Sequence, residues 1–200
     1  MKHFVSVSLI FALFIALCVP AYAAEANTVE PAERISAEEL FADIDPVKVE
    51  TTCENGRKIT VTTYILDNGE IVTDTFERGL NFARSYEGSD TASRTVDFTA
   101  ATFTLTASFK WWTSSGTPGA IGSWQSVECT SAYGSYSIKK EDYTVSDWTV
   151  SHTDGPVSFG KAHASVYGKI HPKTTTSAVG NECYLYIYCD DVGTISDKHK

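Results

Sequence analysis

The stretch Thr95 to Trp112, TVDFTAATFTLTASFKWW, decides the fold class. Phe103, Leu105, Ala107, Phe109 and Trp111 share one parity, while Thr102, Thr104, Thr106, Ser108 and Lys110 take the other. Successive side chains of a strand point to opposite faces, so the alternation describes a half-buried strand, apolar inward and hydroxylated outward. Val96, Phe98 and Ala100 are apolar on the opposite parity, which predicts a change of phase at Ala100 and Ala101 through a bulge or bend. Trp112 falls on the polar side with Lys110. It is expected as a half-exposed ring packed on the lysine stem, with a ligand platform as the alternative.

Working back from this stretch, Glu77 to Arg94 is weakly periodic and reads as a crossing loop, with a helical turn around Leu80 to Ser85. Before it, Lys58 to Leu66 and Glu70 to Phe76 are rich in Thr, Ile, Val and Tyr. Asp67-Asn68-Gly69 between them and Glu54-Asn55-Gly56 ahead of them are hairpin signals, so 47–76 reads as three short antiparallel strands. Ala24 to Glu50 is acidic and thin in large apolar residues, the composition of an arm or linker. Within it Ser36-Ala37-Glu38-Glu39 fits a capping box that would open a short helix through Ile44.

Working forward, 113–123 has loop composition, and Trp124 to Ser131 resumes extended structure with Val127 and Cys129 on one parity. Tyr133 to Lys140, Val145 to His152 and Val157 to Ile170 are further strands, the last with Ala162, Ala164, Val166 and Ile170 inward. Gly160 and Gly168 suggest bulges or bends in it. In the final strand, Glu182 to Cys189, Cys183, Leu185, Ile187 and Cys189 face one way and Tyr184, Tyr186 and Tyr188 the other. Half-buried strands at regular spacing with turn residues between them predict an all-β antiparallel sandwich, immunoglobulin-like or related, with a short N-terminal helix.

Met1 to Ala23 has the pattern of a secretory leader: Lys2 and His3, an apolar run from Phe4 to Val19, and Ala21-Tyr22-Ala23 as the cleavage site. The expected organisation is signal peptide 1–23, acidic arm with short helix 24–46 and β-domain 47–200, secreted after cleavage at Ala23. No second apolar run long enough for a membrane span follows. The formal charge of the whole chain is -9, and the leader holds one lysine and no acid. A nucleic-acid or anionic-membrane partner is therefore not expected.

An exported chain with four cysteines beyond Cys18 reads as a disulfide protein. Cys183 and Cys189 bound one strand and would stand roughly 20 Å apart, too far for a bridge whose α-carbons lie about 4.4–6.8 Å apart. Two arrangements remain, and Cys129 with Cys189 and Cys53 with Cys183 is the one expected. No close-set Cys and His ligands occur, nor H-E-x-x-H, a D-x-D-x-D-G loop or a phosphate-cradling glycine loop. Neither a metal nor a cofactor is expected.

The tyrosine row is the best candidate site. Three rings about 7 Å apart along one strand face suit stacking on sugar rings or flat peptide groups. The competing reading is structural, since tyrosine forms strands well and suits a half-exposed face. Tyr184, Tyr186, Tyr188 and Trp112 are the candidate ligand-binding residues, with Trp124 and Trp148 expected outward or near loops. A Ser-His-Asp relay would draw on His152 or His163 with Asp147 or Asp154. No G-x-S-x-G accompanies them, and with so many serines a triad can always be drawn. Asp190-Asp191 is expected to cap a strand, with a loop calcium site as the alternative.

The run SRTVDFTAATFTLTASFKW, followed by SVECTSA and a late strand ending in YCD, resembles a group of small uncharacterised secreted all-β proteins of Gram-positive bacteria. The resemblance spans Ser93 to Asp191 and implies an exported β-protein with Cys129 paired to Cys189. Cys53 and Cys183 depart from the group's pattern. The function expected is a non-catalytic extracellular binding or surface-interaction module for cell-surface carbohydrate or protein. The alternatives are an exported bacteriocin-like effector or a small secreted hydrolase.

Overall fold

The stretch from Thr95 to Trp112 folds as a hairpin rather than as one strand with a bulge. In a computed structural model of the chain, β4 (Gly88–Asp97) and β5 (Ala101–Thr113) run antiparallel with Val96 opposite Phe103. Phe98 to Ala100 make the reversal, and the Phe98 amide donates to the Ala101 carbonyl at 2.9 Å. The change of parity is therefore a change of strand. Reversal brings Val96 and Phe98 to the same side as Phe103 and Leu105, where all four are buried. Asp97 holds the turn from outside, accepting the Thr102 hydroxyl and pairing with the Lys139 ammonium.

The structure describes residues 41, 44–80, 86–113, 124–176 and 180–197, within a compact unit running from Ile35 to Lys200. The leader, its cleavage site, most of the expected 36–44 helix and the expected turn at 81–85 lie outside the described residues. Phe41 is buried and stacks on Tyr64 at 4.3 Å, so the end of the acidic arm rests on the first hairpin.

That hairpin is as expected. β1 (Lys48–Glu54) and β2 (Arg57–Ile65) turn through Asn55 and Gly56, both at positive φ, and β3 (Ile71–Gly79) follows after Gly69, also at positive φ. Such left-handed pairs match the twist of the flanking strands. The expected crossing loop at 77–94 is corrected, because Gly88 to Arg94 belongs to β4. Its alternation reads Ala92, Arg94, Val96 inward, and a charged residue on the buried parity conceals the strand.

β6 (Gln125–Ile138) is one strand where two were expected, with Thr130 bulged out between Cys129 opposite Phe109 and Ser131 opposite Ser108. β7 (Tyr143–His152), β8 (Val157–Ser158), β9 (Lys161–Pro172), β10 (Asn181–Asp190) and β11 (Ile195–Ser196) complete the chain. Every pairing is antiparallel, in two sheets: β1-β2-β3-β4-β5-β6-β8 and β11-β10-β9-β7. The described residues contain no helix.

The sheets share one apolar core. β10 touches β4 and β5, while β9 touches β5 and β6. Leu185, Ile187, Ala164 and Val166 thereby meet Val96, Phe103, Leu105 and Phe109, all shielded from solvent. Gly168 keeps continuous register with Cys183 on β10, and towards β7 it lies at the expected bulge, where Asp147 and Trp148 together stand against it. It is glycine because a Cβ there would lie 2.7 Å from the Phe103 ring and 2.9 Å from Trp148. Trp148 itself, expected outward, turns inward at the β7 bulge and stacks on Phe103 at 5.6 Å.

A buried ion pair lies on the inner face of the seven-stranded sheet. Arg94 on β4 reaches Asp74 on β3 through Nη2 at 2.7 Å and Nε at 3.1 Å, with both side chains buried. Its Nη1 continues across the gap to the Tyr186 carbonyl at 3.4 Å and the Asp197 carbonyl at 3.1 Å. Burial pulls the guanidinium down, but the Asp74 carboxylate more than reverses this and holds it above its ordinary value.

Removing one partner of a buried pair strands a charge in low dielectric. Asp74→Ala is expected to destabilise the protein by about 3–5 kcal/mol, and Asp74→Ala/Arg94→Met to recover most of that loss. Urea denaturation of the two variants measures it. A smaller defect is expected at the close approach, where Gly168→Ala should cost about 1–3 kcal/mol by overpacking, read as a lower urea midpoint with an unchanged slope.

Candidate functional site

The strand parity that buries Cys183, Leu185, Ile187 and Cys189 places Tyr184, Tyr186 and Tyr188 on the outer face of the four-stranded sheet. Register then adds residues from β9, because Tyr184 lies opposite Tyr167, Tyr186 opposite Ser165 and Tyr188 opposite His163. Ring centroids stand 5.5 Å apart for Tyr167–Tyr184, 4.5 Å for Tyr184–Tyr186 and 5.5 Å for Tyr186–Tyr188. His163 lies 6.3 Å from Tyr186 and 6.1 Å from Tyr188. The result is a continuous aromatic ribbon two strands wide. Tyr184, Tyr186, Tyr167 and His163 are half-buried, and Tyr188 is buried at 8% exposure.

Cross-strand pairs bound the ribbon. At one end Lys169 lies opposite Glu182, with Nζ 3.0 Å from Oε1. At the other Lys161 lies opposite Asp190. The Asp190 carboxylate accepts the Val192 amide at 3.1 Å and the Thr194 amide at 2.7 Å, fixing the turn into β11. It is thus the strand cap expected. Chemically, the ribbon offers polarisable ring surface with hydrogen-bonding groups at both ends, suited to an elongated ligand that has an apolar face and a polar edge.

Trp112 is not part of this surface. It lies on the outer face of the seven-stranded sheet, half-buried, with the Lys110 ammonium 5.8 Å from its ring centroid. Trp124 is exposed, and Trp148 is half-buried against the edge of the core. The expected four-residue set is therefore split between two faces. Tyr167 and His163 belong to the ribbon and were not among the candidates; their shared parity was readable, but the register that sets them beside the tyrosines was not.

The histidines considered for a relay meet a threonine. His163 Nδ1 lies 2.8 Å from Thr153 Oγ1, and His152 Nδ1 lies 3.1 Å from the Thr153 carbonyl. Asp147 sits at the β7 bulge, where its carboxylate accepts the Ser146 hydroxyl at 3.5 Å. A concavity of about 440 Å³ opens among β2, β3 and β11. Lys58, Arg78 and Lys161 line it together with Asp190 and Asp197, so its charges are mixed.

All four described cysteines are unpaired thiols. The expected Cys53–Cys183 bridge is corrected. Cys53 is exposed on the outermost strand β1, opposite Lys58 on β2, and is separated by β2 and β3 from Arg94 of β4. Cys183 is wholly buried beside Arg94 and Asp74, its thiol pushed well up by burial, with Arg94 opposing that shift only in part. Cys129 and Cys189 face the core, and burial raises both thiols, that of Cys129 to about 11.

None of the protein-family models, curated proteins or solved structures compared with the chain matches it.

Thiol reactivity follows exposure and thiolate fraction. Iodoacetamide at pH 8 is expected to label Cys53 of the native chain rapidly and to leave Cys129, Cys183 and Cys189 unmodified; peptide mapping reads the sites.

Proposed function

We propose that the chain is a secreted, non-catalytic binding module on an immunoglobulin-like or related β-sandwich, and that its contact surface is the tyrosine ribbon. The observation that carries this reading is the joining of four tyrosines and a histidine into one band on the outer face of β9 and β10. Strand propensity accounts for tyrosines in a row. It gives no reason for the neighbouring strand to place Tyr167 and His163 in register with them. The leader at 1–23 supports export, and two antiparallel sheets around one core support the sandwich.

A polysaccharide chain has the chemistry the ribbon suits: successive ring faces of low polarity with hydroxyls at the edges. Stacked rings supply affinity, and the Lys169–Glu182 end supplies a hydrogen-bonding pair. The surface is set on paired strands, so little ordering entropy is lost when a ligand docks.

Glycan arrays and cell-wall polysaccharide pull-downs compare the mature chain with Tyr184→Thr/Tyr186→Thr, with far-ultraviolet dichroism confirming that both are folded. Buried Tyr188 is left intact to protect the fold. Each stacked ring contributes about 0.5–1.5 kcal/mol beyond its buried area, so the double variant should bind about tenfold more weakly or worse. Equal binding by both proteins, or binding by neither, overturns the assignment.

A further inference from the structure

We propose that Cys129 and Cys189 form a disulfide joining the two sheets when the chain folds in an oxidising compartment, an inference that rests on the export proposed above. Asp90, Phe109 and Cys129 form one cross-strand rung over β4, β5 and β6. Cys189 ends the inward row of β10, a strand that touches all three. Both sulfurs face the shared core, at 3% and 0% exposure. Burial raises the Cys189 thiol first, and the charges of Asp190, Asp90 and Cys129 add to this. Each thiol donates only to a carbonyl of its own strand at 3.4 Å, Cys129 to Ser131 and Cys189 to Asp190. Pairing therefore breaks no contact between elements.

The oxidant is an external disulfide, small-molecule or protein, encountered by thiol–disulfide exchange. One thiolate attacks it, forming a mixed disulfide and expelling one thiol; the second thiolate displaces the other. Two protons and two electrons leave the chain, and the donor disulfide becomes two thiols. The thiolate is the nucleophile, so exchange is suppressed once the sheets have closed over both sulfurs. The bridge must form before the sheets pack, and afterwards it is shielded from reduction. It closes a long loop containing β7, β8 and β9, where cross-linking removes much unfolded-state entropy.

The test refolds the chain from Ala24 out of denaturant in a glutathione redox buffer, then alkylates it in denaturant without reductant. Peptide mapping is expected to show a Cys129–Cys189 linked pair lighter by two hydrogens, with labels on Cys53 and Cys183. Reduction in denaturant should be fast and in native buffer slow, and reduction should lower the melting temperature of the wild type but not of Cys129→Ala/Cys189→Ala. Labels on all four cysteines, or any other linked pair, overturn the proposal. The map on the wild-type chain decides this even where the double variant does not fold. Neither a glycan nor an export step enters the experiment, so its failure and the failure of the binding assignment are separable.

Discussion

The Asp74–Arg94 pair is the constraint on which the joining of the two sheets depends. Taking two charges from water into the core costs several kcal/mol per ion, and attraction between them repays this only with good geometry and further hydrogen bonds. Both conditions are met. Two nitrogens of Arg94 grip Asp74, and the third reaches carbonyls of Tyr186 and Asp197. Those carbonyls need a donor, because β11 is only two residues long and pairs with Tyr188 and Cys189 alone. The guanidinium thus does for the upper half of β10 what a longer β11 would do. It also ties β3 and β4 to the other sheet by directional bonds, which fixes how one sheet lies on the other more narrowly than apolar contact does.

Unequal width follows from the same arrangement. Seven strands face four, and β11 is the last cover over β3, so the inner sides of β1 and β2 extend beyond the second sheet. Their composition agrees. The inward parity of β2 carries Lys58, Thr60, Thr62 and Tyr64, where β5 carries Phe103, Leu105 and Phe109. Where the cover ends, apolar residues give way to polar ones, except where Phe41 stacks on Tyr64. β1 is exposed along its whole length and carries Cys53 next to its end at Glu54, which is why this cysteine stays away from the other three.

Alternation made the strand content legible, and turn chemistry made the first hairpins legible, since Asn55-Gly56 and Asn68-Gly69 demand the conformations they adopt. Reading failed where one signal had two physical causes. A parity change at Ala100 fits either a bulge or a reversal, and the turn residues Phe98, Thr99 and Ala100 carry none of the usual glycine or asparagine punctuation. Arg94 on a buried parity hid β4, because a charge is tolerated there only through Asp74, twenty positions away in the chain. Gly168 read as an irregularity and Trp148 as an outward ring, and only their contact explains both. The tyrosine row was visible in one strand, but its completion by Tyr167 and His163 depends on register, which a single strand does not encode.

The two outer faces differ in what they leave for a partner. On the seven-stranded sheet the hydroxyls bond to one another across strands, Thr91 with Ser108 at 2.8 Å, Thr95 with Thr104 at 3.1 Å and Thr106 with Ser93 at 3.4 Å. A hydroxyl pair already made must be broken or shared before a ligand gains from it, and such an exchange yields little net free energy. Rings behave otherwise. Stacking between Tyr186 and Tyr188 at an interplanar angle of 18° sets the rings in a fixed orientation with their faces along the strand. Order on the aromatic face therefore fixes ring surface on which a ligand can stack, whereas order on the hydroxyl face uses up the groups that recognition would need. That difference, more than the number of tyrosines, is why the ribbon on β9 and β10 is proposed as the contact surface.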